Sequence, residues 1–209
     1  ETTAYAVLTD LGDLVFLRSN NVYENGTRNT VVDINNQEYI GTVYTDVEIG
    51  KHYWDSWEYG YPENIFRAYV AEGNTIAPTS MWMWFCHCPN LESFDGTGFD
   101  SSNITDLSYL FVNCENLTYV NMEDFTAPYV GQLYNMFQGC IALENISLPN
   151  LSTEHVLRTD FMFADCSSLK TLNIASLSTE NLPGMLNMFY GCNNLETVVL
   201  GEGFTFWTN

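Results

Sequence analysis

Cysteine is the residue type in this chain whose spacing most readily suggests chemistry. Five of the six cysteines follow one another at intervals of 26 residues, namely Cys88, Cys114, Cys140, Cys166 and Cys192. Adjacent members of such a column come close enough for a disulfide bond. Stacked identical side chains point in parallel, however, so we expect buried thiols that pack as small apolar groups. Cys86 lies outside the column, where an exposed thiol could link two chains.

No other group of reactive side chains has the spacing of a catalytic or metal site. The sequence Cys86-His87-Cys88 lacks the second ligand pair of a zinc site, and Asp100 and Asp106 do not have the spacing of an EF-hand loop. Gly-x-Ser-x-Gly, His-Glu-x-x-His and Walker sequences do not occur. We therefore expect a protein that is not an enzyme, with no catalytic residue, no cofactor and no resident metal.

The charge of the chain limits the partners that it can have. Six lysine and arginine residues face 26 aspartate and glutamate residues, which gives a net charge of −20. Such a chain repels phosphate backbones and anionic membrane surfaces, so we expect no nucleic acid partner. The longest apolar run, Met81 to Cys86, is far shorter than the roughly 20 residues that a membrane-spanning helix needs. We therefore also expect no membrane insertion.

Two further columns follow the same period as the cysteines. Phenylalanine occurs three residues before each column cysteine and leucine three residues after it, so that every unit reads Phe-x-x-Cys-x-x-Leu. The residues after each leucine alternate between apolar and polar, as around Ile146 and Leu148, which is typical of a strand with one buried face. The repeated units therefore predict a parallel sheet with one short strand per repeat of 26 residues.

The second half of each unit predicts a short helical turn. Leu107, Leu110 and Phe111 have the i, i+3, i+4 spacing of one buried helical face. The residue before each column cysteine tolerates positive φ, and we interpret this column as the left-handed residue that ends the helix: His87, Asn113, Gly139, Asp165 and Gly191. One strand and one helical turn per repeat predict an α/β fold. We expect a right-handed leucine-rich-repeat solenoid, with a parallel β-sheet on one face and helical turns on the other.

The period divides the chain into two predicted domains. Residues 62–209 form the solenoid and a short C-terminal cap, whereas residues 1–61 lack the period and form a β-rich N-terminal cap. Caps are expected at both ends because an uncapped solenoid exposes a layer of its core. Within the N-terminal cap we predict three strands, at residues 4–9, 13–18 and 42–49.

The repeat resembles that of a known family of bacterial proteins. Segments 135–140 (Asn-Met-Phe-Gln-Gly-Cys) and 187–192 (Asn-Met-Phe-Tyr-Gly-Cys) are similar to the BspA-type leucine-rich repeats of bacterial surface proteins, in the subgroup with Met-Phe-x-x-Cys in a 26-residue repeat. The resemblance covers residues 62–202. It implies a secreted or cell-surface protein, a non-enzymatic adhesin or protein–protein interaction module, whose partner is a host extracellular protein or another cell-surface protein. Because the sequence begins at Glu1, we also expect that a leader or upstream segment has been removed.

The outward residues of the predicted strands form the expected ligand face of such a solenoid. This concave face is polar and mostly uncharged, and tyrosine is a frequent anchor at protein interfaces. We predict seven ligand-binding residues on it: Tyr69, Asp95, Tyr119, Asn121, Asn145, Ser147 and Asn173.

Two alternatives stay open. Trp54, Trp57 and Tyr59 could form a platform on which sugar rings stack, which would make the chain a carbohydrate-binding module. The same aromatic residues could instead cap the end of the solenoid. The chain could also be a structural spacer that binds no ligand.

Overall fold

The computed structural model of the chain describes residues 2–49, 63–180, 182 and 185–205. These residues form a β-solenoid of about five turns with parallel strands. We call each 26-residue turn of the solenoid a coil. Ten strands occur in this part of the chain: β1 (Thr3–Thr9), β2 (Asp13–Ser19), β3 (Arg28–Val32), β4 (Glu38–Tyr44), β5 (Arg67–Val70), β6 (Ser93–Asp95), β7 (Tyr119–Asn121), β8 (Asn145–Ser147), β9 (Thr171–Ile174) and β10 (Thr197–Leu200). Two 3₁₀ turns accompany them, at Val47–Ile49 and Ser101–Asn103.

An antiparallel unit lies at the N-terminal end of the solenoid. β1 and β2 form the predicted hairpin, with Tyr5 opposite Leu17, and β2 pairs in parallel with β5, the first strand of the solenoid. The bounds of the predicted third strand are wrong, because β4 begins at Glu38 and ends at Tyr44 and a 3₁₀ turn follows it. The predicted domain boundary at residues 61 and 62 falls outside the described residues, so the division into two domains stays a prediction.

Columns of identical side chains fill the interior of the solenoid. The repeated phenylalanines stack from coil to coil with ring centroids 5.3 to 6.0 Å apart: Phe85, Phe111, Phe137, Phe163 and Phe189. The leucine column is fully buried from Leu91 through Leu169. Each coil therefore completes its core only by packing against its neighbours, which is the physical reason for the strict period.

The segments predicted as helical turns are not helices. In the described part of the chain, helical structure is confined to the two 3₁₀ turns. These segments line the side of the solenoid opposite the strands, which we call the turn face. Their backbone amides donate alternately to the next coil and to their own turn. Phe111 N donates to Met136 O of the next coil at 2.9 Å, whereas Val112 N donates to Tyr109 O of its own turn at 3.4 Å. The predicted α/β class is therefore wrong, and the fold is a β-solenoid.

Two columns of residues with positive φ explain why an apolar spacing typical of a helix gives turns instead. The predicted column is left-handed in every coil, with φ from 55° at Asn113 to 76° at Gly191. A second left-handed column, which we did not predict, lies four residues earlier in each coil, with φ between 52° and 58°: Met83, Tyr109, Asn135, Phe161 and Asn187. Two left-handed residues four positions apart on the turn face of each coil prevent a continuous α-helix there.

The column cysteines join neighbouring coils as hydrogen-bond donors. Four of them donate their Sγ–H to the carbonyl of the phenylalanine 29 residues earlier, at 3.0 to 3.2 Å: Cys114, Cys140, Cys166 and Cys192. Burial raises the pKa of the first three thiols well above the usual value, which keeps them protonated. Cys86 is buried beside Met83 and Val112, which contradicts the alternative of an exposed thiol that links two chains.

Candidate binding face

The outward residues of β5 to β10 form two rows, which we call the strand face. Residues one period apart face each other in register, as Tyr119 faces Ser93 and Thr171 faces Asn145. The first row contains Arg67, Ser93, Tyr119, Asn145, Thr171 and Thr197. The second row contains Tyr69, Asp95, Asn121, Ser147, Asn173 and Val199. This is the face that we predicted to be concave, and all seven predicted residues lie on it.

One open groove of about 460 Å³ crosses the strand face from β7 to β10. Four of the seven predicted residues line it, namely Tyr119, Asn145, Ser147 and Asn173. Three further outward residues that we did not predict also line it, namely Thr171, Thr197 and Val199. They occupy the same two rows, so the period that identified the others was sufficient to find them.

The amide and carboxylate side chains of the second row hold the turns that follow the strands. Asp95 Oδ1 accepts from Thr97 N at 3.0 Å and from Asn121 Nδ2 at 3.0 Å. Asn121 Oδ1 in turn accepts from Glu123 N at 3.2 Å. Asn173 repeats the arrangement in a later coil, where its Oδ1 accepts from Ala175 N at 3.1 Å. These side chains have a local structural role, which reduces their capacity to bind a ligand.

Tyr69 lies apart from the groove, at the junction of the solenoid with the antiparallel unit. It packs against the small core formed by residues of β1 to β4, and burial raises the pKa of its phenol. Beside it, Arg67 binds both carboxylate oxygens of Asp13, at 2.6 and 2.8 Å. Tyr69 is thus part of a packed polar junction and does not contribute to the groove.

The groove carries no formal charge in a chain of net charge −20. None of the described residues that line it is acidic or basic, and Lys170 and Glu144, which precede its first row in two coils, neutralise each other at 2.9 Å. Its walls combine hydroxyl and amide groups with the apolar side chains of Val120, Ile146, Leu172 and Val199. Thr171 Oγ1 donates to Asn145 Oδ1 across two strands. At the end of the groove the Tyr119 side chain is 53% exposed. The arrangement offers hydrogen bonds, an apolar floor and one aromatic contact surface, but no charge.

The residues of the alternative glycan site, Trp54, Trp57 and Tyr59, lie outside the described residues. Among the residues that the structure does describe, no three histidine, cysteine, aspartate or glutamate side chains lie close enough together to hold a metal ion. No helix in the same part of the chain has the length and apolar character needed to cross a membrane.

Comparison with known proteins places the repeat region. A family model described as "Mycoplasma protein of unknown function, DUF285" matches residues 79–201, more than half of the chain. The chain belongs to this family. The DUF285 match contains all five column cysteines and every described residue that lines the groove. No curated protein and no solved structure matches the chain. The DUF285 family is uncharacterised, so membership assigns no ligand to the groove.

Proposed function

We propose that this DUF285 chain is a non-enzymatic binding module of the BspA-like, Met-Phe-x-x-Cys repeat type, which binds a protein partner on its strand face. The observation that carries the proposal is the uncharged groove with the exposed Tyr119 at its end. Tyrosine combines a large apolar surface with a hydroxyl group, and it is common among residues that dominate binding energy. The stacked coils place this side chain and the groove on one face of the solenoid.

The chemistry of the groove favours a protein partner without a large negative charge. A groove that combines apolar side chains with hydroxyl and amide groups and carries no charge matches the mixed apolar and polar surface of a protein interface. The net charge of −20 repels polyanions and favours neutral or basic partners. We propose a host extracellular protein or another cell-surface protein as the partner, and a secreted or cell-surface location. The resemblance of the repeat to BspA-type surface proteins supports that location.

A structural spacer is the second candidate function, and one observation favours it. Asp95, Asn121 and Asn173 hydrogen-bond to backbone amides of their own turns, as expected of residues selected to build coils and not to bind a ligand. The groove distinguishes the two candidates, because a spacer has no need of the exposed Tyr119 beside uncharged walls.

A binding screen tests the proposal. The purified chain is applied to immobilised extracellular matrix proteins and to a glycan array, at low and at physiological salt. We expect saturable binding to a protein that persists at physiological salt, because non-specific attraction to an acidic chain weakens as screening increases. A glycan signal that Trp54→Ala or Trp57→Ala removes would contradict the proposal and support the carbohydrate-binding alternative. Binding to neither panel would exclude a matrix-protein or glycan ligand and leave the spacer, or a partner carried only by another bacterium.

A further inference from the structure

The parallel ladder of the strand face is interrupted between β7 and β8. Strands β1 to β7 belong to one sheet and β8 to β10 to another. Elsewhere the first residue of each strand donates to the preceding coil, as Tyr119 N does to Glu92 O at 3.3 Å and Thr171 N to Glu144 O at 3.2 Å. The equivalent bond from Asn145 N to the carbonyl oxygen of Thr118 does not form in the described structure. We call this interruption the seam.

The second half of each strand shows the same interruption. Gly96 N donates to Asn121 O at 2.8 Å, and Leu148 N donates to Asn173 O at 2.8 Å. The corresponding bond across the seam would join Met122 N, next to β7, to the carbonyl oxygen of Ser147 in β8. This bond does not form in the described structure. The seam therefore leaves backbone donors and acceptors of two facing strands without partners in the solenoid.

The turn face is continuous behind the seam. Phe111 N donates to Met136 O at 2.9 Å and Asn113 N to Gln138 O at 2.8 Å. Cys140 Sγ–H donates to Phe111 O at 3.2 Å, and the rings of Phe111 and Phe137 stack at 5.3 Å. Beyond the ends of β7 and β8, Asn150 Nδ2 donates to Glu123 O and Ser152 N donates to Thr126 O, both at 2.7 Å. Widening the seam would break these two bonds and bend the turn face, whose own hydrogen bonds would stay in place.

The groove of the strand face lies across the seam. Tyr119 and Val120 line it from β7, and Asn145, Ile146 and Ser147 line it from β8. The unpaired backbone groups therefore open into the candidate site and not into the core. A backbone N–H or C=O that no protein group satisfies has to be satisfied by water or by a ligand.

We propose that an extended polypeptide segment of the partner binds in the seam and pairs its main chain with β7 and β8. The inference rests on the proposed function and specifies how the partner is recognised. A polypeptide in extended conformation supplies alternating N–H and C=O groups on both of its edges, which is what two facing strands require. Because the seam walls are uncharged, the segment is neutral or weakly basic.

The distance between paired strands gives the extent to which β7 and β8 would move apart. Paired strands lie about 4.8 Å apart, so inserting one strand separates β7 from β8 to roughly twice that distance. The continuous turn face acts as the hinge for this opening. Binding would therefore join the two sheets of the strand face into one.

Hydrogen exchange on the full chain tests the inference. In the chain alone, the Asn145 amide should exchange at least about tenfold faster than the amides of Thr171 and Thr197, which donate to Glu144 O and Lys170 O. Twelve-residue peptides are then selected from a random display library for binding to the full chain. Peptides whose binding Tyr119→Ala weakens should slow exchange at Asn145, and N-methylation of alternate peptide amides should weaken their binding about tenfold or more.

A proline pair provides the matched variants. Asn145→Pro removes an N–H that the solenoid does not use, together with the exposed Thr171 Oγ1–Asn145 Oδ1 bond, which Thr171→Pro removes as well. We expect a small change in melting temperature and a loss of peptide binding. Thr171→Pro removes an N–H that donates to Glu144 O, so its melting temperature should fall clearly. If Asn145→Pro fails to fold, the exchange measurements on the unaltered chain decide.

The outcomes separate the two proposals. Peptides that require Tyr119 but leave exchange at Asn145 unchanged would overturn the inference and leave the proposed function standing. Protection of the Asn145 amide in the chain alone, equal to that of Thr171, would also overturn the inference. A selection that yields no peptide sensitive to Tyr119→Ala would overturn the inference, and the binding screen with folded proteins would still decide the proposed function.

Discussion

Replacing Gly139 with alanine should destabilise the solenoid through two separate effects. Gly139 has φ +75°, and an added Cβ would overlap Asn113 Oδ1 and lie 3.3 Å from Asn113 Cγ. The left-handed backbone costs an alanine about 1 kcal/mol, and the steric overlap adds about 2 kcal/mol. At about 2–4 °C per kcal/mol for a chain of this size, we expect the melting temperature to fall by about 9 °C.

Two companion variants separate the effects. Gly26 has φ +74° and open space around its Cβ position, so Gly26→Ala should lose only the backbone component, about 3 °C. Asn113→Gly removes the overlapping side chain, so Gly139→Ala on that background should cost no more than Gly26→Ala does. Thermal unfolding of the four variants followed by circular dichroism measures all these differences. Equal costs for Gly139→Ala with and without Asn113 would refute the packing of neighbouring coils described above.

Three further predictions concern buried groups. Thr159 Oγ1 is buried with no hydrogen-bond partner in the described structure, so Thr159→Val should raise the free energy of unfolding by about 1 kcal/mol. Thr179 is equally buried, but its Oγ1 accepts from Thr205 N at 2.7 Å. Thr179→Val should therefore lower the free energy of unfolding by about 1–3 kcal/mol. Denaturant titration measures both changes, and the same sign for the two substitutions would contradict the hydrogen-bonding described for these two threonines. At pH 8, iodoacetamide should modify the half-buried Cys192 before Cys114, because burial raises the pKa of the Cys114 thiol well above its usual value. Peptide mass spectrometry measures the two rates of modification. Equal rates would show that the inner coils open.

The strands of the solenoid could be predicted from the sequence because their signal is repeated. A period of 26 residues places identical residue types in register, and the alternation after each leucine can only fit a strand with one buried face. The hairpin of β1 and β2 could likewise be predicted from two short apolar runs around Gly12, which are buried on both faces. β3 was missed because Arg28–Val32 begins with three polar residues and has little burial to reveal it.

The turn face could not be predicted as readily, since one apolar spacing fits both helices and successive turns. The i, i+3, i+4 spacing of Leu107, Leu110 and Phe111 is the same in both structures. What decides between them is the second left-handed column, and Tyr109 and Phe161 conceal it because bulky residues rarely adopt positive φ. Asn135 and Asn187 carry the signal openly, four residues before Gly139 and Gly191.

The rows of the strand face could be predicted, but the role of each residue in them could not. Asp95 and Asn121 have the residue types of a ligand site, yet their side chains hold turns. A sequence does not show whether an asparagine binds its own backbone or a partner. The seam was not foreseen either, because the period is unbroken there, with Tyr119 and Asn145 still 26 residues apart.

The central claim is that the strand face recognises a protein partner, and a comparison of two tyrosines tests it most directly. Tyr119 lines the groove and is 53% exposed, whereas Tyr129 is 60% exposed and lies outside the groove. The affinity for the protein found in the binding screen is measured by surface plasmon resonance for Tyr119→Ala and Tyr129→Ala. We predict a loss of roughly 30-fold or more for Tyr119→Ala and almost none for Tyr129→Ala. Equal affinities for the two variants would contradict the claim.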